Sequence, residues 1–406
     1  MRGPKRQGPP ARSVRANEIH VRPQTAAAIR RGHPWVWRDG IERGGQGLEA
    51  GAIVQVRESG GTLLGTGLWD PRSPIAVRIF ELGEGRLSLD GIVARIERAI
   101  LRRDLFIDPA RTNTYRLCHG EGDRVPGLVL DRYGEVVVAK LDGWHLSSWF
   151  DGIAERLWPK LRDRGIRSLV RRIHRDEDRS QGKVERVFGD EAPATITVLE
   201  NGIRMVVDLA EGQKTGAFLD QRDNRDRVRK LAKGRRVLNL FSYAGGFSTA
   251  AALGGASHVT SVDIAHAAHK TAQASMRENG IDPAAHAFVT ADAFAFLDNA
   301  KRRGERWDLV ISDPPSFAPS EKAVSRALGA YRKLHAACAA VLAEGGIFCA
   351  SSCSSHVSPE MFLTTLDDAS LGRADLSLVE LFGAGPDHPI VPAFPEGRYL
   401  KFAVLA

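Results

Sequence analysis

The stretch RRVLNLFSYAGGFSTAAAL, residues 235–253, decides the fold. An apolar run, VLNLF, ends in a glycine-bearing turn and gives way at once to an Ala-rich segment, which reads as a buried strand, a tight turn and a helix. The pattern then repeats. HVTSVDI (258–264), a helix over 265–279, HAFVTA (286–291), a helix, WDLVISD (307–313), a long helix, GGIFCASS (345–352) and a helix from Pro359 follow in order. Such alternation predicts a parallel, doubly wound α/β sheet. The last two strands, LSLVELFGA (376–384) and RYLKFAVLA (398–406), have no helix between them and are expected to form an antiparallel edge pair.

Working toward the amino terminus, the texture changes twice. ATITVLENGIRMVVDL (194–209) is a hairpin turning at Asn201-Gly202, where positive φ is needed, and is expected to bridge into the α/β domain. Before it, LDGIVARIERAILRRD (89–104) repeats Ile92, Ile96 and Ile100 on one helical face. GLVLDRYGEVVVAKL (127–141) is a second hairpin; a helix near 146–164 and the strand RSLVRRI (167–173) follow. Residues 17–82 hold short apolar runs broken by glycine, with one helix over 23–31, and predict a small β-barrel. The expected division is a disordered basic tail over 1–16, a barrel over 17–83, a central α+β domain over 84–200 and the α/β domain over 201–406.

Composition narrows the setting. No uninterrupted apolar run is long enough to span a bilayer, and MRGPKRQGPPARSVR is basic without a following apolar region, so neither a membrane span nor a signal peptide is read. Four scattered cysteines fit a reduced, cytoplasmic protein. The net charge is +8, and residues 1–43 carry ten Lys or Arg against three acids. A second arginine-rich run spans 156–183. Two such clusters suit a polyanion, nucleic acid first, although a merely solubilising face has the same composition.

Open α/β sheets bind ligands beyond the carboxyl ends of their strands. The first strand end, Tyr243-Ala244-Gly245-Gly246-Phe247-Ser248-Thr249, lacks the G-x-G-x-x-G spacing of a dinucleotide site. The second ends on Asp263, able to take both hydroxyls of a ribose; the third reaches Asp292, where an adenine amino group or adjoining backbone is read. Alone the glycine turn is equally a structural turn. Together these groups fit a nucleoside with an amino-acid tail, S-adenosylmethionine, better than a dinucleotide. The fourth strand ends in SDPPSF (312–317), where two prolines stop the strand and present Asp313 at the crevice.

With these residues in view, the chain resembles the class I S-adenosylmethionine-dependent RNA methyltransferases, and more narrowly the large-subunit ribosomal RNA methyltransferase I group, which makes 5-methylcytosine. GHPWVWRDGI (32–41) and GTGLWDPRSPIAVRIF (65–80) are similar to that family's PUA barrel, an RNA-binding module. YRLCHGEGDRVPGLVLDRYGEVVV (115–138) resembles its central domain, and EGQKTGAFLDQRDNR (211–225) resembles the segment opening its catalytic domain. The resemblance implies a Rossmann-like methyltransferase domain with S-adenosylmethionine as cofactor. Phe241, Ser242, Tyr243, Ala244 and Gly245 would wrap its methionine part. Asp263 would hold the ribose and Asp292 would sit at the adenine, with Ile264 and Ala293 also in the cofactor site. Lys214, Phe218, Asp220 and Arg222 would come from the opening segment, while Asp313, Pro314 and Pro315 would face cofactor and target base. Large-subunit ribosomal RNA or an assembly intermediate is the implied partner, without a membrane, and a homodimer is a further expectation. Many RNA cytosine-5 enzymes carry a second cysteine after the proline of the fourth-strand loop; here that position is Ser316, as in the group this chain resembles.

Carbon 5 of cytosine is a poor nucleophile, so such chemistry wants a thiolate at carbon 6. GGIFCASSCSSHV (345–357) supplies two candidates. Cys349 lies inside a strand expected over 347–351 and reads as core. Cys353 lies past it, before a helix start at Ser358-Pro359-Glu360 that could lower its pKa if the loop turns it there. Cys353 is therefore the expected nucleophile and Asp313 the group that orients the base. His356 could take a proton, but reads first as a loop histidine. No metal is expected, because Cys349, Cys353 and His356 would need a cysteine that faces the core.

Overall fold

The computed structural model describes residues 17–173, 184–210, 212 and 214–406. The basic tail over 1–16 and the last part of the second arginine-rich run, 174–183, lie outside the described residues. Contacts divide the chain into two compact units. One contains the described residues up to Ile92 together with Asp142–Ile153; the other is Val93–Leu141 with Ala154–Ala406.

The first unit is built on a six-stranded sheet in the order Trp35–Trp37, Ile75–Leu82, Leu63–Trp69, Ile53–Glu58, Glu18–Val21, Ile41–Arg43. Its pairs are antiparallel except that of Glu18–Val21 with Ile53–Glu58. The expected helix is present as Pro23–Arg30, with proline opening its first turn. Its Ala26 and Ile29 are fully buried in one core with Ile19, Val21, Val36, Val54 and Val56.

The second unit begins with a five-stranded sheet ordered Val184–Gly189, Ser168–Arg172, Val136–Leu141, Leu128–Tyr133, Thr114–His119. The hairpin Thr195–Glu200 and Ile203–Asp208 turns at Asn201 and Gly202, both at positive φ (49° and 82°). Val198, Ile203 and Met205 share a core with Tyr133, Val138 and Val170 of the five-stranded sheet. The same hairpin bonds forward: Val206 N donates to Ser275 Oγ (2.9 Å) and Arg204 N to Asn279 Oδ1 (2.9 Å).

The rest is the α/β layer. Its elements are α1 (Arg222–Leu231), β1 (Arg236–Leu240), α2 (Gly246–Leu253), β2 (His258–Asp263), α3 (His266–Glu278), β3 (Ala287–Thr290), α4 (Ala293–Arg302) and β4 (Trp307–Ser312). After them come α5 (Val324–Ala340), β5 (Leu342–Ser352), α6 (Pro359–Leu363), α7 (Asp368–Leu371), β6 (Leu378–Phe382) and β7 (Lys401–Leu405). The strand order is β3-β2-β1-β4-β5-β7-β6, parallel from β3 to β5. β7 enters antiparallel between β5 and β6, as the missing helix predicts.

Alternation along each strand feeds two cores. Leu238, Leu240, Val310, Phe348 and Ala350 pack under α4, α5 and α6; Val237, Leu309, Ile311, Ile347 and Cys349 pack under α1 and α2. Strands buried on both faces must be apolar at almost every position, which is why VLNLF and LVIS look alike in sequence. Burying a side chain such as Phe348 or Phe402, neither exposed, contributes about 2–3 kcal/mol. β5 is longer than expected: eleven residues, running from before the glycine pair to Ser352. No described helix is long and apolar enough to cross a membrane.

Candidate active site

The carboxyl ends of β1, β2, β4 and β5 open on one cavity of about 500 Å³, lined also by the opening segment and the hairpin. Of the expected residues, Lys214, Phe218, Asp220, Phe241, Ser242, Tyr243, Ala244, Asp263, Ile264, Asp313, Pro314, Pro315 and Cys353 line it. Arg222, Gly245, Asp292 and Ala293 do not.

Each exception has a local cause. Arg222 is 2% exposed, its Nη1 donating to Asp387 Oδ2 (2.8 Å) and its Nε to Asp223 Oδ1 (2.9 Å). Three residues on, Arg225 takes the wall instead, and it is fastened to both oxygens of Glu200 at 2.6 Å. Asp292 caps α4, accepting from Ala295 N at 3.0 Å, and Ala293 is buried in that helix's first turn. Gly245 serves the backbone: it sits at φ 72°, and a Cβ there would lie 2.4 Å from Ala272 Cβ.

The turn after β1 is held open at some cost. Phe241 and Tyr243 adopt positive φ (56° and 43°), uncommon for aromatic residues and typical of functional sites. Asp263 pays part of that cost, since its Oδ2 accepts from Tyr243 N (2.8 Å) while Oδ1 accepts from Ala265 N (2.8 Å). Each oxygen keeps a lone pair for a hydroxyl donor. Ile264, next to it, is 77% exposed.

The opening segment closes the other side. Phe218 meets Tyr243 edge-on at 5.4 Å between ring centroids, and the Lys214 ammonium stands 4.3 Å from the Phe218 ring centre and 3.2 Å from Asp220 Oδ2. Tyr399 donates to the same Asp220 oxygen at 2.8 Å. Burial alone would raise the Asp220 carboxyl, but Lys214, His388 and the Tyr399 hydroxyl outweigh it and hold it well below the usual carboxylate range.

At the ends of β4 and β5 lie Asp313 and Cys353, with Cys353 Sγ 3.9 Å from the Pro314 carbonyl oxygen. Gln221 ties the two strand ends together, its Nε2 donating to Asp313 Oδ1 (3.0 Å) and to Ser351 Oγ (2.9 Å). Burial first, then the charge of Asp220, push the Asp313 carboxyl up to about 6 although the Ser351 and Gln221 hydrogen bonds oppose it. Burial and the charge of Asp313 likewise push the Cys353 thiol up to about 11. The lowering expected from the following helix is thus not what the free protein has: desolvation and two carboxylates dominate. Cys349, with no exposed surface, is core, and burial pushes its thiol up to about 12. His356 does not line the cavity.

Sequence reading passed over Gln221 and Tyr399. Gln221 was inside the quoted opening segment but carries no charge to mark it. Tyr399 sits outside every strand-end motif and reaches Asp220 only because β7 folds back beside β5.

Comparison with known proteins agrees with this geometry. The family described as S-adenosylmethionine-dependent methyltransferase matches residues 164–401, and a PUA-like domain matches residues 19–82. A ribosomal RNA large subunit methyltransferase I of Shewanella denitrificans is 35% identical over 392 residues, covering 95% of this chain and 98% of that one. A ribosomal RNA large subunit methyltransferase of Deinococcus radiodurans is 37% identical over 410 residues, covering 98% of each. Among solved structures, SMU.776 complexed with SAH (S-adenosylhomocysteine) superposes with a TM-score of 0.84 at 26% identity, over 96% of this chain and 99% of that one.

Proposed function

The chain belongs to the S-adenosylmethionine-dependent methyltransferase family, alongside ribosomal RNA large subunit methyltransferases, and we propose that it methylates C5 of a cytosine in large-subunit ribosomal RNA through a covalent adduct on Cys353. The observation that carries this reading is the pairing of a thiol, Cys353, with a carboxyl of raised pKa, Asp313, on adjacent strand ends in one cavity.

The lining fits the cofactor. Asp263 offers two acceptor oxygens to ribose hydroxyls, and Ser242 Oγ and Asp220 Oδ1 are buried with no hydrogen-bond partner among the described residues, ready for donors of the amino-acid tail. Ile264 offers an apolar face to the adenine. When bound, S-adenosylmethionine supplies an electrophilic methyl group.

The chain's own groups supply the rest. The Cys353 thiolate adds to C6, forming the S–C6 bond as the C5=C6 electron pair moves through the ring toward N3. Asp313, whose raised value of about 6 leaves roughly a tenth of the molecules protonated at pH 7, donates to N3 as charge collects there. C5 can then take the methyl group. Its proton leaves to solvent, the S–C6 pair returns to sulfur, C5=C6 re-forms and Asp313 recovers its proton.

Incubation with undermethylated ribosomal RNA and labelled S-adenosylmethionine, followed by mass-spectrometric mapping, should give 5-methylcytosine. Label at another base would replace this reading, and no label in RNA would favour an RNA-binding assembly factor. RNA containing 5-fluorocytosine should trap the enzyme, because fluorine does not leave as a proton does. Cys353→Ala should lose that adduct and Cys349→Ala keep it; the opposite pattern would sink the assignment.

A further inference from the structure

Lys401 is 1% exposed in the first position of β7, where it pairs with Ser352 of β5. Its ammonium donates to the carbonyl oxygens of Ser354 (2.6 Å) and Tyr399 (2.8 Å), which uses two of its three hydrogens. No carboxylate among the described residues pairs with it. A buried ammonium without a counter-charge is costly, and packing alone would favour an apolar residue at this position.

Its neighbour explains it. Cys353 lies between Ser352, opposite Lys401 in register, and Ser354, whose carbonyl the ammonium holds. The titratable groups around the thiol are Asp313 at the end of β4, Asp220 and Lys214 of the opening segment, Tyr331 of α5, Tyr399, and Lys401. Two are carboxylates that oppose a thiolate. Of the two cations, Lys214 is already paired with Asp220 and 39% exposed at its side chain. Lys401 has no counter-charge among the described residues.

We propose that Lys401 is a positioning residue for Cys353, pinning the loop that carries the thiol and supplying the positive charge against which its thiolate forms. Burial draws the Lys401 ammonium down to about 8, and the charge of Cys353 opposes that fall. The inference rests on Cys353 being the nucleophile.

The test is alkylation of Cys353 by iodoacetamide in the full chain, followed by peptide mass spectrometry across roughly pH 7 to 10. Lys401→Gln keeps donors for both carbonyls and removes the charge. It should slow alkylation near pH 8 about tenfold, with S-adenosylmethionine affinity retained. Lys401→Arg should restore the wild-type rate, and should exceed it above about pH 9, where lysine loses its charge and arginine does not. An unchanged alkylation rate near pH 8 in Lys401→Gln would reduce Lys401 to a structural pin. If that variant fails to fold, equal rates of wild type and Lys401→Arg above pH 9 would overturn the proposal equally well. Alkylation needs no RNA, so its outcome and that of the 5-fluorocytosine trap fail separately.

Discussion

At the scale of single residues, environment separates groups that look equivalent in sequence. Cys349 and Cys353 are four positions apart, yet one is sealed in the core and the other lines the cavity. The strand boundary after Ser352 makes the difference. Asp313 carries a measurable consequence of its position. Its folded pKa, about 6, lies above the ordinary carboxyl value, so the folded state holds this proton more tightly than the unfolded chain. Its contribution to stability is therefore fully present below about pH 4 and lost as pH rises through about 6. Asp313→Asn keeps an acceptor for Gln221 and removes the ionisation. Relative to wild type it should gain on the order of 2 kcal/mol between pH 4 and pH 7.5, measured by urea denaturation at each pH. The same variant should slow methylation by about a hundredfold or more, because the donor to N3 is gone.

At the scale of elements, the turn between β1 and α2 is where local strain is exchanged for a site. Gly245 has to be glycine twice over: for its φ of 72° and for the close approach of Ala272 on α3. Gly245→Ala should cost roughly 2–4 kcal/mol, about 1 from φ and the remainder from overlap. Gly304→Ala is the control, with φ 69° but open space around it, and should cost about 1 kcal/mol. Thermal denaturation of both separates the two contributions. The repeating strand-helix pattern made the existence and order of these elements plain from sequence. The C-terminal antiparallel pair was legible too, from a missing helix. What pattern reading did not reach is the contact of β7 with β5, which delivers Lys401 and Tyr399 to a site marked by strand ends far earlier in the chain.

At the scale of the whole molecule, the positive charge is concentrated toward the amino-terminal end. Residues 1–16 contain Arg2, Lys5, Arg6, Arg12 and Arg15 and no acid. If these meet phosphates, deleting residues 1–16 should reduce the slope of log affinity for ribosomal RNA against log salt by up to about 4. Filter binding at several salt concentrations checks this, and an unchanged slope would assign the tail to solubility alone. The deletion retains every described residue that lines the cavity, so S-adenosylmethionine affinity should be unaffected.

The sequence by itself determined the doubly wound class, the succession of strands and helices along the chain and the strand ends at which chemistry would gather. Hydrophobic period and turn residues are local properties, and they survive in a one-dimensional reading. Tertiary structure alone decided which residues of a motif face the ligand. Arg225 rather than Arg222 reaches the cavity because Asp387, distant in sequence, claims Arg222. It also decided ionisation. The Cys353 thiol and the Asp313 carboxyl are both raised because burial and neighbouring charge act through space, and neither is written in the spacing of residues along the chain.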